Sequence, residues 1–389
     1  MITVLNWLAG TVLALAWSSR IVDAALGMPK IADIARPEWD RKPQNNPRVS
    51  IILPACNEEA DVVKTLTRLL ALDYDNYEIV AVNDRSTDRT GELMERVAMD
   101  DRAHGRLTVI HIDQLPSGWM GKTHAMWTAA QRATGEWLLF TDADVLFRPD
   151  SVRRAIAYAE AEKADHVVVF PRMIMKRPGE KMMIAFFQTL FVFGHRPWKV
   201  ADPETRDHMG VGAFNCVRRQ AYEAVGTYRA LRMEVLDDMK LGKVLKNAGF
   251  AQRNVFGDDL ISIHWAKGAM GVVRNLTKNF FAILSFQWPR TLASAFMLGF
   301  LNLGPFLGMW LAHGGARIPY AGALLSMFAI YAGMSTRSAV EPYYFFLHPI
   351  STVLFMYTLL RSMGHTLWND GIVWRGTRYP LEELRKGMV

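Results

Sequence analysis

Hydrophobic residues fall into two arrangements along this chain. Some form long uncharged runs, and others form short apolar runs alternating with amphipathic segments. Residues 1–19 carry no charged side chain and Arg20 closes the run. At about 1.5 Å per residue, that run is long enough to cross a bilayer as a helix. A cleaved leader normally opens with a basic stretch, which this run lacks, so residues 1–28 are expected to be an uncleaved anchor, with an interfacial or cleaved segment as the alternative. Arg20 and Lys30 on its far side place the succeeding domain in the cytoplasm. Residues 29–47, with Pro37, Pro43 and Pro47, read as a linker.

From 48 to 268 the period changes. Val49 to Leu53, Tyr77 to Val82, Leu107 to His111, Trp137 to Thr141 and residues 166 to 170 are short apolar runs that predict strands. Between them, 58–71, 88–100, 121–133 and 150–162 have helical spacing. Strands alternating with helices predict an α/β domain with a parallel sheet covered on both faces, and ligands in such sheets bind at the carboxyl ends of the strands. Beyond it, Phe280 to Pro289, within 269–290, predicts an interfacial amphipathic helix. Runs 292–312, 318–336 and 342–360 hold no charged side chain and make 291–363 a membrane region, although each could be a buried core helix instead. Residues 364–389 form a basic tail. Its Arg375, Arg378, Arg385 and Lys386 favour the cytoplasm, yet three crossings after a cytoplasmic domain would put it outside. The middle run, with Pro319, Gly322 and Gly333, is the weakest of the three.

Composition agrees with a globular part joined to membrane segments: of 389 residues half are hydrophobic and 21% are charged. The net charge of +7 suits nucleic acid, anionic headgroups or phosphorylated substrates, but no Lys/Arg-rich run stands out, so no nucleic-acid partner is expected. The two cysteines, Cys56 and Cys216, form no metal-binding pattern and fit a reduced compartment as buried thiols.

The polar residues of interest lie just beyond the predicted strands. Asp142-Ala143-Asp144 can share a divalent ion, Mg2+ or Mn2+, that bridges to diphosphate oxygens, or it can be a solvated turn. Asp84 can accept from the N–H of a uracil-type base or serve as a turn residue. Asp237-Asp238 opens a helix, where carboxylates suit capping. As a close pair they also raise each other's pKa, leaving one fit to be a general base. Lys122 near a helix start opposes the helix dipole, which an anion such as a diphosphate would justify; a solvated lysine is the plainer account.

Taken together, VSIILPACNEE, NDRSTDRTGE, GWMGKTHAMW, EWLLFTDADV and EVLDDMKLG resemble the family 2 glycosyltransferases of GT-A fold, over about residues 48–265. Within them the chain looks like the membrane-bound branch with ceramide, carotenoid and hopanoid-associated glycosyltransferases. Gly-Trp-x-Gly-Lys and the terminal Trp374-Arg375-Gly376-Thr377-Arg378-Tyr379 point to its lipid-acceptor members. The resemblance implies a nucleotide pocket lined by Pro54, Asn57 and Glu59, with Asp84 on the base and Lys122 facing the diphosphate. Asp142 would contact ribose or sugar and share the metal held by Asp144. Asp238 would be the base that deprotonates the acceptor, although its neighbour Asp237 stands where the family usually has Glu. Gly212 to Asn215, followed by Arg218 and Arg219, would lie on the acceptor side or else form a short core strand, and Lys278 would meet phosphate or headgroups or simply flank the membrane. Gln287-Trp288-Pro289-Arg290 is followed by Thr291 and so departs from the Gln-x-x-Arg-Trp box of many relatives.

The expected protein is therefore an inverting transferase of the cell inner membrane, multi-pass, with a cytoplasmic catalytic domain. It would move a sugar from a nucleotide-sugar donor, a UDP-sugar, to the hydroxyl of a lipid acceptor. A polysaccharide synthase of the same fold and a non-catalytic membrane scaffold that keeps a nucleotide-binding domain are the alternatives.

Overall fold

In the computed structural model, which describes residues 2–389, the first apolar run forms β1 (Val49–Ala55), buried on both faces by Val49, Ile51, Ile52 and Leu53. It pairs in parallel with β2 (Tyr77–Asp84), which pairs in parallel with β3 (Leu107–Ile112). On the other side of β1 lies β4 (Trp137–Phe140), also parallel. The remaining strands are β5 (Val145–Phe147), β6 (His166–Phe170), β7 (Arg172–Met173), β8 (Asn215–Arg218), β9 (Gln252–Phe256), β10 (Ile261–Ile263), β11 (Gly371–Trp374) and β12 (Thr377–Pro380).

The main sheet has seven strands in the order β3-β2-β1-β4-β8-β6-β9. Chain direction leaves β1 both ways, so the crevice between the carboxyl ends of β1 and β4 is a topological switch point, where ligands bind in such sheets. One strand departs from the expected parallel pattern. β8 runs antiparallel to both β4 and β6, with Phe140 opposite Asn215, so the sheet is mixed but mostly parallel. A second sheet, β5-β10-β7, and the β11-β12 hairpin complete the strands.

The helices form where apolar residues recur at helical spacing. Val62–Leu70 buries Val62, Thr65, Leu66 and Leu69 on one face. Gly121–Arg132 packs Ala125, Met126, Ala129 and Ala130 into the core formed by Ile52, Val80, Leu138, Phe140, Tyr222 and Leu241. Its small residues allow close approach to the sheet.

The chain divides into two compact units. The sheet-bearing unit comprises Ile31–Ile174, Lys199–His264 and Val373–Val389. The helical unit comprises Met1–Lys30, Met175–Trp198 and Trp265–Ile372. This partition cuts across the continuous 48–268 domain expected from sequence. Pro178–Gly194 joins the helical unit because, once Glu180 has capped its start by accepting from the Lys176 and Arg177 N–H groups, the rest is mostly apolar. Its Ala185 packs with Leu13, Trp17, Tyr320, Met327 and Phe345.

Among the described residues four helical stretches are long and apolar enough to cross a membrane: Thr3–Lys30, Trp288–Leu311, Gly314–Ser335 and Pro342–Trp368. Large apolar side chains stand exposed along them, among them Leu8, Leu15, Phe296, Leu325 and Val353. Trp310 and Trp368, at helix ends, are 84% and 88% exposed, as in the aromatic belts of membrane interfaces. The expected amphipathic helix at Phe280 to Pro289 is not continuous. A short helix, Phe280–Ile283, stops at Ser285 and Phe286, whose left-handed backbone (φ 57° and 56°) cannot continue it, and a new helix begins at Trp288. The 29–47 linker is laid onto the sheet-bearing unit from residue 31. Asp33 bridges to Phe256, and the Arg154 guanidinium donates to the carbonyls of Ile34, Ala35 and Arg36.

Candidate active site

The segment after β4 carries Asp142 and Asp144. Helix Gly121–Arg132 begins with Lys122, and helix Asp237–Asn247 begins with the aspartate pair. The fold brings these three together. The Lys122 ammonium lies 2.8 Å from Asp142 and 3.6 Å from Asp237. Burial pulls Lys122 down, but the charges of Asp142, Asp237 and Asp238 outweigh it and hold the ammonium above the ordinary lysine range.

Glycines make this approach possible. A Cβ on Gly212 would lie 2.6 Å from an Asp142 carboxylate oxygen, one on Gly210 would lie 1.9 Å from the Asp238 carbonyl oxygen, and one on Gly242 would lie 2.0 Å from the Met209 carbonyl oxygen. The two backbones therefore meet without side chains between them. That lets the Gly212 N–H reach the Asp238 carboxylate, which also accepts from the Met239 N–H at 2.7 Å. Burial raises the Asp238 carboxyl, with a further push from Asp142, against the opposing pull of Lys122 and these two N–H groups. Burial, rather than the pairing of the two aspartates expected from sequence, is thus the first cause of the rise.

Asp144 is pushed up to about 7, first by burial and then by the charges of Asp142 and Glu58. A carboxyl held that high beside other carboxylates gains from a hard cation, so Asp142 and Asp144 suit Mg2+ or Mn2+ as oxygen ligands. Among the described residues no three or more His, Cys, Asp or Glu side chains gather as a complete metal cage.

Asp84 ends β2, is buried, and accepts from Arg85 with both oxygens at 2.8 and 3.0 Å. It adjoins the Lys122 helix, since a Cβ on Gly121 would lie 2.4 Å from an Asp84 oxygen. Pro54 lies in β1 opposite Val82. Asn57 and Glu59 tie loop to loop: the Asn57 side-chain oxygen accepts from the Thr87 N–H at 2.8 Å, and Glu59 accepts from the Arg89 N–H at 3.2 Å.

Asn215, expected on the acceptor side or in a short core strand, begins β8. At 1% exposure it lies beneath the site, paired with His166 and donating to the Asp238 carbonyl at 3.5 Å. Burial pushes His166 down to about 4, so it is neutral and links Asn215 to Gln252. Gln252 in turn accepts from the Met209 N–H at 2.7 Å, fixing the glycine segment. Lys278 belongs to the helical unit, just after helix Gly268–Thr277. Cys216 is buried and Cys56 half-buried, both free.

Sequence reasoning missed several residues. Tyr228 is fully buried edge-on to Phe140, its hydroxyl without a hydrogen-bond partner and held well up by burial and by Asp237. Glu58, Arg85 and the tail residues Arg375, Thr377 and Tyr379 also reach the strand ends. The Trp-Arg-Gly-Thr-Arg-Tyr run was the signal for the last three, but nothing in its spacing shows where it docks.

A mostly parallel sheet with acidic residues and a lysine at its switch point defines a GT-A nucleotide-diphospho-sugar transferase fold. A mannosyltransferase from Pyrobaculum calidifontis, solved with GDP-mannose and Mn2+, matches with a TM-score of 0.55 at 19% identity, covering 94% of this chain and 99% of that one. The model of glycosyl transferase family 2 matches residues 50–239, so that stretch is a glycosyltransferase domain of that family. A 4,4'-diaponeurosporenoate glycosyltransferase of Staphylococcus haemolyticus is 21% identical over 61% of this chain and 62% of its own length. A beta-monoglucosyldiacylglycerol synthase of Synechocystis is 29% identical over 62% of this chain and 50% of its own. The chain thus spans less than two thirds of either relative.

Proposed function

We propose that this protein transfers a sugar from a nucleotide-sugar donor, a UDP-sugar, to a hydroxyl of a membrane lipid, with inversion at the anomeric carbon. The observation that carries the reading is the meeting of Asp142, Lys122, Asp237 and Asp238 around Gly212 at the switch point of the sheet. Asp238, raised by burial, takes the acceptor's hydroxyl proton as the new O–C bond forms and the bond from the anomeric carbon to the diphosphate breaks. Lys122 supplies positive charge for the departing diphosphate. Asp142 and Asp144 would hold a divalent cation, which supplies further neutralisation of that leaving group. Asn215, through the Asp238 carbonyl, orients the base from beneath.

The lipid acceptor is supported by four stretches apolar enough to cross a membrane and by the carotenoid- and glycerolipid-directed names of the relatives. Membership of one compact unit by residues 31–174 and by the tail supports a topology in which both lie on one side, the cytoplasmic one. The number of crossings between them is then even, so at most two of the three later apolar stretches span. A reporter fused after Val389 is expected to read out in the cytoplasm, and readout on the far side would overturn that topology. The activity itself is tested by incubating purified protein with UDP-sugars and membrane lipid extract. A lipid gaining a hexose-sized mass supports the reading, and no product with any nucleotide sugar sinks it.

A further inference from the structure

β11 and β12 are joined by Arg375 and Gly376, at φ 50° and 77°. This is the backbone of a tight hairpin turn with two left-handed central residues, positions that favour Asn, Asp and Gly. An arginine there carries a conformational cost, which directs attention to what its side chain does. The guanidinium donates to the Cys56 carbonyl at 2.7 Å and to the Asn57 carbonyl at 3.4 Å, and it pairs with the Glu58 carboxylate. Those three residues come directly after β1, beside the switch point. Two more hairpin residues hold neighbouring segments. Thr377 accepts from Arg85, the residue after β2, at 3.0 Å, and the Tyr379 hydroxyl accepts from the Gly121 N–H at 3.1 Å, next to Lys122. The hairpin therefore touches each of the three segments expected to hold the donor.

The charges at this place are mostly negative. Glu58 pushes Asp144 up, and Asp142 pushes up both. Lys122 is engaged with Asp142 and Asp237, and Arg85 is engaged with both oxygens of Asp84. The Arg375 side chain is 41% exposed, so its planar fork of donors can be reached from solvent, and that fork matches a phosphate. The pair with Glu58 holds the fork at the end of β1, where a diphosphate, carrying more charge than one carboxylate, competes for the same donors.

We propose that Arg375 binds the diphosphate of the nucleotide sugar, which makes the C-terminal hairpin a wall of the donor site. This rests on the nucleotide-sugar reading of the site. The test titrates the full chain in detergent, at fixed Mn2+, with UDP, GDP, UMP and GMP by calorimetry. The wild type is expected to bind one diphosphate more tightly than its monophosphate. Arg375→Gly suits the left-handed turn and is expected to keep the melting temperature while weakening that diphosphate by about tenfold to a hundredfold. The monophosphate should change by less than about threefold, and Arg375→Lys should fall between. Unchanged diphosphate affinity in Arg375→Gly overturns the role of Arg375 and leaves the nucleotide-sugar reading standing. Equal losses for both nucleotides, or a clear drop in melting temperature, make Arg375 a fastener of loops and also overturn it. Failure of the wild type to bind any of the four overturns both.

Discussion

At the carboxyl ends of its central strands the sheet-bearing unit gathers Glu58, Asp84, Asp142, Asp144, Asp237 and Asp238, with Lys122, Arg85 and Arg375 among them. The helical unit treats polar groups differently. Several inside it are neutral and paired: His348 meets Asn302 at 3.0 Å and Tyr331 at 3.1 Å, the Trp17 indole donates to the Leu301 carbonyl at 2.9 Å, and Ser18 meets Ser326 at 3.0 Å. Its Lys181–Glu341 ion pair, at 2.7 Å, joins the start of one helix to the segment just before another, at residues with side chains part exposed. Neutral pairs lower the cost of burying polar groups next to hydrocarbon, whereas crowded carboxylates keep a standing electrostatic cost that a cation or a substrate relieves. The first arrangement serves stability, and the second has the character of a reactive site.

The largest effect that would break this contrast is at Asp238. Asp238→Asn is expected to lower transfer about 100-fold to 10,000-fold while nucleotide binding persists, as measured by product formation beside calorimetry. Unimpaired transfer would remove the base from the proposed reaction. Gly212→Ala ranks next, because its new methyl would stand 2.6 Å from an Asp142 oxygen and push the Asp142–Lys122 pair aside. The expected loss is roughly 10-fold to 100-fold in kcat/KM with an unchanged melting temperature.

In the helical unit, His348→Leu leaves Asn302 and Tyr331 without their shared partner. It should cost about 1–3 kcal/mol of stability, read by thermal unfolding in detergent, with wild-type nucleotide affinity. A loss of nucleotide affinity there would show that the two units do not divide their roles in this way.

The smallest effect concerns pH. Asp144 has a folded pKa of about 7, above the ordinary carboxyl value. Its contribution to stability is therefore full in acid and is lost as pH rises through about 7. In EDTA, Asp144→Asn should melt a few degrees above wild type at pH 8, with the gap narrowing toward pH 5. A gap independent of pH would mean that Asp144 ionises freely.

Much of the sheet-bearing unit was legible in the sequence because its signals are local. Val49 to Leu53 and Trp137 to Thr141 are apolar over strand lengths, and helix Asp237–Asn247 begins at the aspartate pair expected to open it. The break at Ser285 and Phe286 was not legible, since neither residue type announces a left-handed backbone. Nor could the sequence choose between an acceptor-side place and a core strand for Asn215, since its burial depends on β8 running antiparallel between β4 and β6. The capped, apolar helix Pro178–Gly194 has the period of a core helix and of a membrane-side helix alike, so its partner could not be read from it.

The sequence by itself determined which segments become strands, which become long apolar helices, and that acidic residues stand just beyond the strands. These outcomes come from periodicities of two and 3.6 residues and from side-chain polarity, properties that each segment carries alone. Tertiary structure decided which of those acids share a lysine, what lies beneath Asp238, and that a tail more than 300 residues away in sequence returns to the end of β1. Those arrangements depend on contacts between distant segments, whose energies no single segment contains.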